Sequence, residues 1–447
     1  MTSTTRITRA AAAKAVALGL GLTLLAACSG DGGAADDATG AAGSGASAGG
    51  SGEPVTLTWW HNGNQDPALS YWQGVADAYE EENPNVTIEI SALQNEDLRT
   101  RLTAALQSND PPDLFQQWGG GEMQQQVDAG LLMPLDEEIP DTIEAIGGSA
   151  AGWQVEGQTY GLPFSLGVVG VWYNQALFEE AGITDPPETV EEFLDVVQQL
   201  KDAGITPAAV GAADQWPAAH WWYYAAVREC DQAVLEEAGR TFDFSDPCFV
   251  RAGELVQTIV QAEPFNEGFL GTSAQQGATS SAGLLANGEV AMELMGHWNP
   301  SVMAGLTPDQ EGLGEDLGWF PFPTSSTGEG EPTATLGGGD GYSCSASAPP
   351  ECTDFLAFVL NEENQRAFGE TGVGIPTVQG TQDSIGDENL VELVSVRDEA
   401  PYTQLYLDTA YGPNIGGALN EAVAQLFAGQ ATPKDVVTAV EQAAANA

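Results

Sequence analysis

Two hydrophobic periods alternate along most of this chain. VTLTWW (55–60) carries the short period of a strand and ends in two adjacent tryptophans. From Asp66 the period lengthens. Tyr71, Trp72, Val75, Ala76 and Tyr79 fall on one face of a helix that runs through Glu82 and stops at Asn83-Pro84. VTIEI (86–90) predicts the next strand, residues 95–110 the next helix, DLFQQW (113–118) a third strand and EMQQQVDAG (122–130) the helix after it. Strands alternating with helices predict an α/β fold with a mostly parallel sheet, in which ligands collect at the carboxyl ends of strands.

A second α/β pattern follows a hairpin at WQVEGQTYGLP (153–163). VVGVWY (168–173) reads as a strand, with helices over 174–181 and 189–204. Aromatics crowd WPAAHWWYY (216–224), and NGEVAMELMGHWNP (287–300) reads as a strand ending in aromatics. Residues 324–334 have loop composition, 353–372 are helical, and 415–447 predict two helices. No internal repeat is present.

The amino-terminal segment follows another logic. Arg6, Arg9 and Lys14 precede the apolar run AVALGLGLTLLAA (15–27), and LAAC ends at Cys28. The run is short for a membrane span and has the layout of an export leader. The small residues before Cys28 resemble a bacterial lipobox, which implies lipidation of Cys28 and anchorage at the outer face of the cell membrane. Residues 29–53 are nearly all Gly, Ala, Ser and Asp, the composition of a flexible tether with a reach of roughly 25–30 Å.

Charge narrows the ligand. The chain has 12 Lys+Arg against 64 Asp+Glu, a formal net charge of −52. Loss of the leader would remove three of those bases and no acid. Such a field excludes nucleic acid, anionic lipid surfaces and phosphorylated ligands, and leaves neutral or cationic small molecules. Besides Cys28 there are four cysteines, an even number in an exported chain. Of the three possible pairings, the local ones, Cys230–Cys248 and Cys344–Cys352, are favoured. Zinc is the rival, but the spacings are not those of zinc knuckles.

Several segments together resemble the extracellular solute-binding proteins of carbohydrate importers, the group that includes maltose-binding proteins. They are LTWWHN, DLFQQW, YGLPFSLGVVGVWYN, NGEVAMELMGHW and FLAFVLNEENQRAFGETGVGIP. WWHN, QQWGGG and LGGGDGYSC also look like the xylobiose-binding lipoproteins of high-GC Gram-positive bacteria. The resemblance implies a two-lobed, flytrap-like α/β body with discontinuous lobes and a hinge. One lobe would take 54–163 plus 299–338 and the other 164–298 plus 339–447. The crossings would fall at GLPFSL, GHWNP and LGGGDG, where glycine or proline suits backbone rotation. Two departures count against maltose itself. NGNQD after Trp60 lacks a lysine that some maltose binders carry, and LPFSLGVVG has glycine where some have glutamate.

A sugar needs flat apolar plates for its C–H faces and neutral groups for its hydroxyls. The 11 tryptophans cluster with such groups. The expected ligand-binding set is Trp60, His61, Asn62, Asn95, Gln117, Trp118, Trp216, His220, Trp221, Trp298, Asp340 and Tyr411. The resemblance supplies the ligand-side places of Trp118, Trp298 and Tyr411. Strand alternation sends Trp59 and Trp60 to opposite faces, with Trp59 expected in the core and Trp60 toward the cleft. All three histidines adjoin a tryptophan, so a three-histidine metal site is the sharp alternative. GGGDG (337–341) lacks the Lys-Ser/Thr of a phosphate loop and suits a hinge. The function expected is that of a monomeric receptor without cofactor. It would bind a neutral oligosaccharide, xylo-oligosaccharide favoured, and deliver it to the transmembrane subunits of an ABC permease. A surface glycosidase with paired carboxylates and a metal-capture protein are the alternatives.

Overall fold

The computed structural model describes residues 53–108 and 110–446. The leader, Cys28 and nearly all of the expected tether lie outside the described residues. Twelve strands are present among the described residues: β1 Val55–His61, β2 Val86–Ala92, β3 Leu114–Gln117, β4 Gln154–Val155, β5 Gln158–Thr159, β6 Leu162–Val168, β7 Gly170–Asn174, β8 Thr206–Ala209, β9 Val290–Met295, β10 Leu317–Phe320, β11 Thr335–Cys344 and β12 Thr403–Leu405. They build two main sheets and one small hairpin. The first sheet runs β12-β11-β3-β1-β2 with β6 paired to β11; the second runs β10-β7-β9-β8. Each sheet is flanked by helices, so the body is a two-lobed α/β structure.

The pairing is mixed rather than mostly parallel. β1 lies parallel to β2 and β3, β8 to β9, and β11 to β12. β11 is antiparallel to β3 and β6, and β7 is antiparallel to β9 and β10. Strands that return from one lobe to the other re-enter in reverse, which a local pattern does not announce.

The same pairings correct the expected lobe boundaries. β10, inside 299–338, belongs to the second sheet through Leu317↔Asn174 and Phe320↔Val171. β11, which begins at Thr335, belongs to the first sheet through Gly341↔Gln117 and Cys344↔Leu114. The first crossing is at Val169, between β6 and β7, rather than within GLPFSL. GHWNP joins β9 to a helix, Asn299–Gly305, and the strands on either side of it, β9 and β10, share the second sheet. The chain leaves the second sheet through 321–334 instead. Arg228 holds that segment, its guanidinium donating to the carbonyls of Phe322 (2.9 Å), Pro323 (3.1 Å) and Ala334 (2.8 Å).

GGGDG is not a free hinge loop but the middle of β11. Glycine is required there because rings and backbone lie close against the strand. A Cβ on Gly338 would come within 2.6 Å of the Tyr406 ring.

Each lobe has its own core. In the first, Trp59 is fully buried and meets the rings of Phe355, Tyr342 and Trp72 edge-on at 5.2, 5.3 and 5.5 Å. Such contacts add about 0.5–1.5 kcal/mol each beyond area burial. In the second, Tyr224 stacks on Phe322 at 4.6 Å, and Thr189 closes a capping box with Glu192 at the start of the Val190–Asp202 helix. Cys230 bonds Cys248 and Cys344 bonds Cys352, the two local pairings. No helix among the described residues is long and apolar enough to cross a membrane.

Candidate ligand-binding site

A cavity of about 1000 Å³, counting the solvent at its mouth, lies between the lobes. Strand ends point chain into it from both sides. β1 leads to Asn62 and Gly63, β3 to Trp118, β9 to His297 and Trp298, and β12 to Tyr406 and Asp408. The first turns of the Trp216–Glu229 helix add Trp216 and His220, and Asp340 enters from the middle of β11.

Rings make a large part of the wall. Trp216 and Trp298 meet edge-on at 6.2 Å, Trp298 meets Tyr406 at 6.3 Å, and Tyr406 stacks on His220 at 5.2 Å. Trp298 reaches this place because residue 296 is glycine: a Cβ there would sit 2.3 Å from the indole. Trp118 is fixed on two sides. Its Nε1 donates to Asp340 Oδ1 at 2.9 Å, and the Arg99 guanidinium lies 3.9 Å from its ring centroid. The same Asp340 oxygen accepts from Gln116 Nε2 at 2.8 Å.

Burial shifts three of the polar groups, and it holds the two imidazoles uncharged. Burial pushes Asp340 up to about 6, against the pull of the Trp118 and Gln116 hydrogen bonds and of Arg99. Burial lowers His220 to about 4, partly offset by Asp408, and lowers His297 to about 3, with Arg397 adding to the effect. Both imidazoles are therefore neutral near pH 7. His297 Nε2 lies 2.9 Å from Ser165 Oγ, which itself accepts from Ile375 N–H at 3.0 Å. Flat apolar plates with neutral donors and acceptors between them can hold a polyol with C–H faces.

Seven of the expected residues line this cavity: Asn62, Asn95, Trp118, Trp216, His220, Trp298 and Asp340. Five do not. β1 extends through His61, so pleat parity puts His61 on the same face as Trp59; it is fully buried, 4.7 Å from that ring. Trp60 takes the opposite face and packs toward Leu102, Phe115 and Met123, away from the cavity. Gln117 spends its side chain on structure, donating to Gln126 Oε1 at 2.8 Å and accepting from Trp118 N–H at 2.9 Å. Trp221 is core, among Phe265, Phe193 and Phe322. Tyr411 is core too, 5.4 Å from Phe244. A three-histidine metal site fails on the same ground, since His61 does not reach the cavity that His220 and His297 line. No cluster of three or more metal-ligating side chains occurs among the described residues.

The wall also holds Arg99, Phe164, Gln275, His297, Tyr406 and Asp408, which the expected set omits. Of these only His297, beside Trp298, carried a signal in its neighbours. The others are single residues brought in by the crossing of segments.

The profile of the family described as bacterial extracellular solute-binding protein matches residues 62–366. An uncharacterized ABC transporter extracellular-binding protein of Pyrococcus horikoshii is 25% identical over 398 residues, 85% of this chain and 83% of its own length. A structure from work on xylan utilization by the thermophilic bacterium Caldanaerobius polysaccharolyticus superposes with a TM-score of 0.79 at 27% identity, covering 87% of this chain and 99% of that one. A chitin oligosaccharide binding protein superposes with a TM-score of 0.80 at 25% identity, covering 89% and 99%. The chain belongs to the bacterial extracellular solute-binding proteins, a family of binding proteins rather than enzymes.

Proposed function

We propose that this protein is the substrate-binding component of a carbohydrate ABC importer, holding a neutral oligosaccharide between its lobes and presenting it to the permease. The observation that carries the reading is the ring wall of Trp118, Trp216, Trp298 and Tyr406, with neutral imidazoles and amides between the plates. Rings take sugar C–H faces out of water, and the amides and imidazoles satisfy hydroxyls that would otherwise lose their partners. Ligand that touches both lobes favours the closed arrangement by its differential contact. Xylo-oligosaccharide is the favoured ligand, supported by the likeness to the xylan-utilization structure. A second reading, an N-acetylglucosamine oligomer, is supported by the equally good superposition on a chitin oligosaccharide binding protein. Lipid attachment at Cys28 and a monomeric state complete the proposal.

A thermal-shift screen over di- and trisaccharides, confirmed by calorimetry, tests it. Xylobiose should raise Tm more than maltose or diacetylchitobiose. A response to diacetylchitobiose alone transfers the assignment to the second reading, and turnover of labelled oligosaccharide would contradict the receptor role.

A further inference from the structure

A second cavity, of about 850 Å³ counting the solvent at its mouth, adjoins the ring-lined one. Three wall segments run from one into the other. Ser301 lines both. Pro67 of the second precedes Ala68 of the first. Thr371 and Gly372 of the second lie between Phe368 and Val373 of the first. The second cavity is also built by both lobes, with Asp66 and Pro67 from the segment after β1 and residues 300–317 from the segment before β10. The two are therefore neighbouring compartments that share a wall at the short Asn299–Gly305 helix.

Their chemistry differs. No aromatic ring lines the second compartment. Beside aliphatic side chains it offers Gln310, Glu311, glycine backbone and the second carboxylate oxygens of Asp66 and Asp387, whose first oxygens accept from Ser70 and from the start of the Glu388–Glu399 helix. A unit placed there is held by hydrogen bonds from its hydroxyls rather than by stacking. Three carboxylates and no base on that wall disfavour an anionic unit.

We propose that the second compartment is a further subsite of the same ligand, taking a neutral, hydroxyl-rich sugar unit beyond those stacked on the tryptophans, so that the protein selects oligosaccharides longer than a disaccharide. This rests on the sugar-binding reading. Calorimetry with xylobiose and xylotetraose, and with diacetylchitobiose and its tetramer, tests it. In the unmodified protein the tetramer of the bound series should bind about tenfold more tightly than the dimer. Ala304 lines the second compartment and not the first, so Ala304→Phe narrows the second. It should bring the tetramer within about twofold of the dimer while leaving dimer affinity unchanged. If that variant also loses the dimer, Glu311→Ala on the exposed loop decides, with a severalfold loss expected for the tetramer alone. Equal affinity for dimer and tetramer in the unmodified protein would overturn the subsite and leave the sugar reading standing. Failure of both dimers and both tetramers to bind would overturn the sugar reading, and the subsite with it.

Discussion

The indole Nε1 of Trp216 donates to the Glu96 carboxylate at 2.9 Å, and this bond spans the two lobes at the wall of the cavity. Trp216 opens a helix of the second lobe, while Glu96 lies in the first turn of the Asn95–Gln107 helix of the first lobe. A second cross-lobe contact runs from Gln65 Nε2 to the carbonyl of Gln275 at 3.3 Å. Each bond exists only while the lobes are together, so each acts on the opening equilibrium and not on either core.

Removing the Trp216–Glu96 bond should therefore weaken ligand binding more than it weakens folding. A hydrogen bond to a charged acceptor contributes about 1.5–3 kcal/mol. Glu96→Ala and Trp216→Phe should each lower affinity about tenfold, and the double variant should cost clearly less than the product of the two. A double-mutant cycle on Kd measures this; fully multiplicative losses would show that the bond does not couple the lobes.

Two tryptophans close in sequence to pocket features should behave in opposite ways. Trp298 presents its ring to the cavity, whereas Trp221 is 2% exposed among three phenylalanines. Trp221→Ala should destabilise by about 3–5 kcal/mol. Trp298→Ala should lower affinity by about a hundredfold with a smaller change in Tm. Melting curves with and without sugar separate the two outcomes.

Glu293 gives a pH-dependent prediction. It is buried on β9, accepts from Asn299 Nδ2 at 2.9 Å, and is pushed by burial up to about 7. A carboxyl raised in the folded state binds more protons folded than unfolded between its ordinary value and about 7, so it lowers stability progressively across that window as pH rises. Glu293→Gln keeps the shape and removes the charge. It should raise Tm at pH 8 and leave it nearly unchanged at pH 5, as measured by calorimetric melting.

How much of this was legible in the sequence depends on the range of the interaction. Strand and helix periods located β1, β2 and β3 and buried Trp59 correctly, because parity is local. Parity also decides His61, but only once the strand is known to run one residue past Trp60. The lobe boundaries were not legible, because β10 and β11 are assigned by pairing with Asn174 and Gln117, far away in the chain. Six of the seven expected residues in the cavity sit near strand or helix ends beside other polar or aromatic residues, and the seventh, Asp340, stands out as the one carboxylate in a glycine run. Tyr406 has no such cluster and reaches the wall through Gly338, a fit that only the folded chain displays.

His61 tests the placement of the double tryptophan. Burial lowers it to about 3, and both ring nitrogens lack a hydrogen-bond partner. A histidine lowered in the folded state binds more protons unfolded, so stability is lost as pH falls below about 6.5. His61→Leu should raise Tm more at pH 5 than at pH 7.5, with sugar affinity unchanged. A loss of affinity in that variant would return His61 to the binding site.

The central claim is that a neutral sugar is bound between the lobes by rings, with imidazoles and amides between them. Titration calorimetry of the protein with xylobiose and with diacetylchitobiose, at low and at high salt, tests it most directly. The account predicts one-to-one binding of one of them, with an affinity that changes by no more than about twofold with ionic strength. Binding of neither sugar, or an affinity that falls steeply as salt is added, would contradict it.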